Sequence, residues 1–183
     1  LVLAHAMFAR LKQKYPAASI HALLFAKNRE VLDLLDVIPA ENVLTVSDRS
    51  LTDLASDSFD VLRAIRALDF DVVIDCELFA RASAIFSFLS GAPVRVGFFR
   101  HTQEGLYRGT FINRRVLYSP YLHLTQQFVA LAEAIESRSI PVIKHAILPP
   151  PVQPPQLQFP DREVHEVTER LHADFPAVKG KSL

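Results

Sequence analysis

The chain has 183 residues, half of them hydrophobic, so it is long enough for one domain with a sizeable core and should fold. Lysine and arginine number 20, as do aspartate and glutamate, and this balance argues against a dedicated nucleic-acid-binding protein. The single cysteine, Cys76, excludes an internal disulfide and fits a cytoplasmic compartment, and no apolar run is long enough to span a bilayer.

Helix and strand patterns alternate along the first half of the chain. Apolar residues recur at helical spacing from Leu3 to Tyr15, and Pro16 ends that helix. The patterns then predict a buried strand over Ala18–Phe25, a helix capped by Asn28 and reaching Leu35, a strand over Val43–Val46, a helix capped by Ser58 and reaching Leu68, and a strand over Asp71–Glu77.

The second half continues this alternation and then changes character. A helix with Leu78, Ala82, Ile85, Phe86 and Leu89 on its inner side should precede a strand over Val94–Phe98. No regular period appears between Phe99 and Pro120, and Leu124, Phe128, Leu131 and Ile135 then mark a long helix. Six of the twelve residues from Pro149 to Pro160 are proline, which indicates a stiff linker. A last helix over Asp161–Ala173 should turn Val164, Val167 and Leu171 inward.

This order of elements predicts an α/β fold, a Rossmann-like and mostly parallel sheet with helices on both faces. We divide the chain into a domain over residues 1–148, the proline-rich linker over 149–160, and a helix with the start of a further connection over 161–183. Parallel sheets of this kind bind ligands outside the carboxyl ends of their strands. Candidate functional residues are therefore sought just after each predicted strand.

Two acids and an arginine follow the clearest strand. Asp75 and Glu77 share a strand face, so either could accept a substrate hydroxyl or act as a base. Each could instead cap the next helix. Arg81 could hold an anionic substrate or form an i,i+4 pair with Glu77.

Arginines cluster in and after the predicted strand Val94–Phe98. Between Val94 and Pro120 there are five arginines against one acid, whereas Asn28–Glu77 holds twelve acids against four arginines. Because guanidinium groups match phosphate and carboxylate, Arg100 and Arg108 predict contact with an anionic ligand, with His101 as a further donor. A solvated surface loop is the alternative. Arg114 and Arg115 are interpreted as surface charges.

Two further histidines lie near predicted helix starts. His5 could be near the chemistry or simply half-buried, and His123 could cap the long helix. The sequence holds no metal-ligand cluster, no P-loop and no Gly-x-Gly-x-x-Gly, so no metal or cofactor site is predicted.

Several segments together resemble glycosyltransferase family nine, the ADP-heptose:lipopolysaccharide heptosyltransferases. They are the helix from Leu1-Val-Leu to Tyr15-Pro16, the strand Phe70-Asp-Val-Val-Ile-Asp, the segment Leu89-Ser-Gly-Ala-Pro-Val-Arg-Val-Gly-Phe98, and His123 before a long helix. The last resembles an "HxxER" motif in which Gln126 and Gln127 replace the acid and the arginine, while Ala6 and Glu77 stand where many members have Pro and Gln.

The resemblance implies the N-terminal half of a GT-B architecture, with residues 1–148 as an acceptor-side domain that lacks its first strand. It implies an inverting, metal-independent transferase that is cytoplasmic or works at the cytoplasmic face of the inner membrane. Its acceptor would be lipopolysaccharide core or a related anionic glycolipid. A C-terminal domain would bind the nucleotide-sugar donor, with ADP as the expected nucleotide, and the catalytic Asp would precede Leu1 with His5 nearby. Glu77, Arg81, Arg100, His101 and Arg108 would then contact the acceptor, and residues 1–183 alone should be inactive.

Two other functions are compatible with the same residues. One is a non-catalytic sugar- or anion-binding module on this scaffold. The other is a different GT-B enzyme, such as a nucleotide-sugar 2-epimerase, because a fold does not define a reaction.

Overall fold

The computed structural model of the chain describes residues 1–78, 80–100, 110–138 and 159–179. The proline-rich linker falls almost entirely outside these ranges, as do His101 and Arg108, and the side chain of Arg100 is also outside the description. The described helices and strands, in chain order, are α1 (His5–Lys14), β1 (Ala22–Phe25), α2 (Arg29–Leu35), β2 (Val43–Val46), α3 (Leu51–Leu68), β3 (Val72–Asp75), α4 (Arg81–Leu89), β4 (Val94–Arg100), β5 (Arg114–Leu117), α5 (Leu124–Glu133) and α6 (Asp161–Asp174).

The strands form two parallel sheets. One consists of β1 and β2, and the other has the order β3-β4-β5. The two sheets adjoin at their amino ends, where the rings of His21 and Phe70 pack edge to face with centroids 5.1 Å apart. The parallel α/β fold predicted from the alternating pattern is confirmed.

One face of both sheets shares a hydrophobic core with α1 and α5. Val96, Phe98 and Val116 are fully buried there, against Met7 of α1 and Leu131 of α5. At the carboxyl ends of these helices Arg10 pairs with Glu133, and Lys14 Nζ lies 3.3 Å from Glu133 and 3.1 Å from Glu136. These pairs show that α1 and α5 run parallel.

The opposite face holds a second, smaller core. Val61 and Ile65 of α3 pack with Val46 of β2, and Phe70 and Phe86 join them. Helices therefore cover both faces, as the sequence predicts.

Among the boundaries that differ from the sequence prediction, two lie in the first half of the chain. Only Ala22–Phe25 of the expected strand Ala18–Phe25 is a strand, and Leu23 and Phe25 are exposed. Helix α3 begins after Ser50, whose extended backbone lets Oγ accept a 3.0 Å hydrogen bond from the Asp53 amide. The expected cap, Ser58, lies inside this helix. The satisfied cap at Ser50, eight residues before Ser58, explains the earlier start.

A strand is also present where no period was evident. Arg114–Leu117 forms β5 beside β4, with Val116 buried. The two arginines are therefore not plain surface charges. Arg115 stacks on the Phe99 ring at 4.2 Å and donates to the Ile112 carbonyl, because its flexible stem can lie along the sheet.

The buried faces of two helices differ in part from the prediction. On α4, Phe86 packs inward as predicted, but Ala84 and Ser87 are the most buried residues, whereas Ile85 and Leu89 are exposed. Helix α4 packs against β3 and β4. On α6, Val164 and Val167 are 50% and 67% exposed, and the main described packing partner of this helix is the turn Pro176–Val178.

Candidate functional site

The carboxyl ends of the described strands define one edge of the fold, where the candidate residues were sought. Connecting helices in a parallel sheet run antiparallel to the strands, so α2, α3, α4 and α5 begin at this edge. Helix α1, which runs parallel to α5, begins there too. Helix amino ends carry partial positive charge and unpaired N–H groups, so this edge favours an anionic ligand.

Asp75 is the last residue of β3 and is only 5% exposed. Its Oδ1 accepts a 3.0 Å hydrogen bond from the Glu77 amide, and its Oδ2 accepts one of 2.9 Å from the Ser83 hydroxyl. The residue does not cap α4, whose N-cap is Ala80. Burial and these bonds keep the carboxylate inside the turn, so the structure does not support Asp75 as a base.

Glu77 and Arg81 are both exposed at the edge. Helix α4 begins at Arg81, so Glu77 lies before the helix and the helical i,i+4 spacing does not apply to this pair. The turn after β3 therefore offers one carboxylate and one guanidinium to the same region of surface.

His5 and His123 reach this edge from different parts of the chain. His5 is the half-buried first residue of α1, and the turn that precedes it, Val2–Ala4, contacts α5. His123 is the N-cap of α5, as the sequence suggested, and its Nδ1 accepts a 3.3 Å hydrogen bond from the Thr125 amide. The two histidine-bearing helix starts are thus neighbours, which their separation in sequence does not reveal.

The cationic segment that follows β4 lies mostly outside the described residues. Arg100 ends β4 and pairs with Leu117 of β5 across an irregularity in register, which places its backbone at the carboxyl edge. His101 and Arg108 lie outside the described residues, so their part in the site remains a prediction.

Sequence reasoning missed an ion pair at this edge. Lys27 and Asp48 form a salt bridge that joins the ends of β1 and β2. The hydrogen bond from Lys27 lowers the pKa of Asp48 below its usual range. Phe25 and Val46 are partners in register, and each charge comes two residues later. The sequence signal that could have predicted this ion pair is the presence of opposite charges at the same distance after two consecutive strands.

The described residues hold a cleft of about 440 Å³, but it lies at the opposite edge. Residues before β1 and β2 line it with the end of α1, including Lys12, Tyr15, Ser19, Pro39 and Asn42. Because the candidate residues are at the carboxyl ends of the strands, this cleft is not part of their site. Nowhere in the described ranges do three or more His, Cys, Asp or Glu side chains come together as a metal site would require.

Comparison with solved structures decides the architecture. The chain superposes on the structure of ADP-heptose LPS heptosyltransferase II from E. coli with a TM-score of 0.64 and 18% sequence identity. The match covers 93% of this chain. This chain has a heptosyltransferase-like fold.

At this level of identity the likeness establishes the α/β fold alone and leaves the reaction open. The chain covers 46% of the heptosyltransferase, so it spans about half the length of that protein. No protein-family model matches the chain, and a search of curated proteins found no match. Among the helices that the structure describes, none has the length and apolarity needed to cross a membrane.

Proposed function

We propose that the chain is the acceptor-binding, N-terminal domain of an inverting nucleotide-sugar glycosyltransferase of the heptosyltransferase type. The acceptor would be an anionic sugar or glycolipid such as lipopolysaccharide core. The observation that carries the proposal is that the elements bearing His5, Glu77 and Arg81, and strand β4, all begin or end at the carboxyl edge of the strands. The heptosyltransferase-like fold supports it.

The described groups suit an anionic acceptor. Arg81 projects from the first turn of α4, where its guanidinium and the amino end of the helix can share one phosphate or carboxylate. Arg100, His101 and Arg108 would supply further contacts from the loop after β4. Glu77 would accept hydrogen bonds from sugar hydroxyls, since its carboxylate is exposed at the same edge.

In the reaction the acceptor oxygen attacks the anomeric carbon of the donor sugar as the bond to the diphosphate breaks. A carboxylate takes the hydroxyl proton, and cationic groups stabilise the departing diphosphate. The resemblance assigns the base to an Asp before Leu1 and the donor site to a C-terminal domain. The buried Asp75 does not act as the base, because its oxygens already accept hydrogen bonds within the fold.

The test is a screen of the full-length protein against nucleotide-sugar donors and anionic glycolipid acceptors, read by mass spectrometry. Arg81→Ala and Arg100→Ala should each raise the acceptor KM about tenfold or more, the effect of losing one charge-assisted hydrogen bond. Arg63→Ala is the matched control, since Arg63 lies over the Phe59 ring on α3. Sugar binding without product would favour a binding module, and unchanged acceptor KM and kcat in both variants would refute the assignment.

A further inference from the structure

The turn between β3 and α4 is held at both of its ends by one side chain. Asp75 stands at the end of β3 and binds the amide of Glu77, two residues ahead, at 3.0 Å. The same carboxylate binds the hydroxyl of Ser83, in the first turn of α4, at 2.9 Å. The first bond is an Asx turn, which sets the backbone direction directly after the strand.

The Ser83 hydroxyl has two acceptors within reach. It lies 3.0 Å from the Ala80 carbonyl as well as 2.9 Å from Asp75 Oδ2, and it carries one proton. A carboxylate is the stronger acceptor, so the bond to Asp75 dominates. Helix α4 is thereby attached to the end of β3 through a side chain as well as through the backbone.

A glycine on the neighbouring strand leaves room for the Asp75 side chain. Gly97 of β4 is the partner of Asp75 in register, and a Cβ at position 97 would lie 3.3 Å from Asp75 Cβ and 3.1 Å from Ile112 Cδ1. A side chain there would crowd both neighbours. Glycine on the neighbouring strand therefore leaves space for Asp75 on the α4 face of the sheet.

The next residue of the turn points to the other face. Cys76 Sγ lies 3.9 Å from Met7 Sδ of α1, in the large core. Residues 75 and 76 thus attach the turn to α4 on one face and to α1 on the other. Glu77 and Arg81, the exposed pair of the candidate site, come directly from this anchored turn.

We infer that Asp75 is a positioning residue, which fixes the β3–α4 turn and so presents Glu77 and Arg81 to the acceptor. The acceptor contact rests on the proposed function, whereas the positioning of the turn does not. The buried carboxylate acts through the Glu77 amide and the Ser83 hydroxyl and does not touch substrate itself.

Cys76 provides a reporter within the turn, because it is the only cysteine of the chain and is partly buried. The rate at which an aromatic disulfide reagent modifies its thiol measures how often the turn opens. In the whole chain, Asp75→Ala should raise this rate at least about tenfold, because opening no longer breaks two hydrogen bonds. Ser83→Ala, which removes one bond, should give a smaller increase, and Asp75→Asn should restore part of the protection through its remaining carbonyl.

Two controls separate positioning from general stability. Asp71→Ala removes an exposed carboxylate just before the same strand and should leave the rate unchanged. Val61→Ala weakens the smaller core without touching the turn, and its rate should stay within about twofold of wild type while global unfolding is rare. The inference would be overturned if Val61→Ala raised the rate of thiol modification as much as Asp75→Ala does. It would also be overturned if neither Asp75→Ala nor Ser83→Ala raised that rate.

A second measurement connects the turn to the site. In the full-length protein, Ser83→Ala and Asp75→Asn should raise the acceptor KM and leave the donor KM unchanged. If no transferase activity exists, the thiol rates still decide whether Asp75 positions the turn. If activity exists and the thiol rates do not respond, the positioning role fails and the proposed function stands.

Discussion

The side chain of Gln127 accepts a 3.0 Å hydrogen bond from the backbone amide of Ser119, eight residues earlier. Its Nε2 donates at 3.0 Å to the carbonyl of Leu122, and the residue is only 1% exposed. One buried amide therefore satisfies two backbone groups of the connection between β5 and α5. Gln127 occupies the arginine position of the motif that this helix resembles, and an uncharged amide suits a site so deeply buried.

Gln127→Leu should destabilise the chain by about 2–4 kcal/mol, because it leaves a donor and an acceptor without partners. Urea unfolding followed by circular dichroism measures the loss. Gln126→Leu, the neighbouring residue and less buried, should cost less than about 0.5 kcal/mol. Equal losses in the two variants would contradict the role of Gln127.

Gly97→Ala should destabilise the chain by about 1–3 kcal/mol, because the new methyl group meets Ile112 and Asp75 at less than van der Waals distance. Ile112→Val removes Cδ1, the atom closest to that methyl group, and should cost about 0.5–1.5 kcal/mol alone. The double variant should lose less than the sum of the two single losses. Additivity to within about 0.5 kcal/mol in urea unfolding would show that the two sites do not meet.

Ser50→Ala should cost about 1 kcal/mol, because the Asp53 amide at the start of α3 loses its side-chain acceptor. Ser58→Ala is the matched control, since Ser58 lies inside the helix, where alanine is the better helix former. Its expected effect on the thermal midpoint is zero or a small increase. A larger loss for Ser58→Ala than for Ser50→Ala would return the helix start to the position that the sequence suggested.

The ion pairs between α1 and α5 should make stability depend on acid pH. Burial alone would raise the pKa of Glu133, but hydrogen bonds from Arg10 and Lys14 outweigh it and hold the pKa below its usual value. A carboxylate with a lowered pKa in the folded state contributes stability above its unfolded-state pKa and loses it as the pH falls through the folded-state value. The contribution should be complete at neutral pH and decline below about pH 4.3, the ordinary glutamate pKa.

Glu133→Gln tests this directly. Near pH 7 it should lower stability by about 1 kcal/mol, and the difference from wild type should shrink as the pH falls toward about 3. Thermal midpoints measured across this range give both values. Glu41 lies in the turn before β2 and takes no part in the ion pairs between α1 and α5. In Glu41→Gln the thermal midpoint should therefore change between neutral and acid pH by as much as it does in the wild type. A Glu133→Gln deficit that stays constant with pH would contradict the linkage.

Local patterns predicted most of the elements and few of the contacts. Val43–Val46 is a strand as predicted, and Asp71–Glu77 contains β3, since a run of β-branched residues suits a strand covered on both faces. Strand β5 was missed because two arginines and a single buried valine give no period. Its pairing with β4 supplies the stabilisation that its own sequence does not reveal.

The candidate site was predictable in position and less so in detail. Parallel strands have their carboxyl ends at one edge, so Glu77 and Arg81 could be assigned to it from the sequence. The Lys27–Asp48 pair and the neighbouring starts of α1 and α5 depend on which strands and helices lie side by side. Sequence spacing carries little of that information.

The sequence by itself determined the α/β class and the edge of the sheet at which Glu77 and Arg81 lie. Periodicity is a local property and connection order restricts topology, so both are available without coordinates. Only the tertiary structure decided that Asp75 is buried and hydrogen-bonded within the fold, whereas Glu77 is exposed. Both residues are carboxylates, and they lie two positions apart. The difference arises from Gly97 and Ser83, which lie on neighbouring elements and give one of the two carboxylates a place inside the fold.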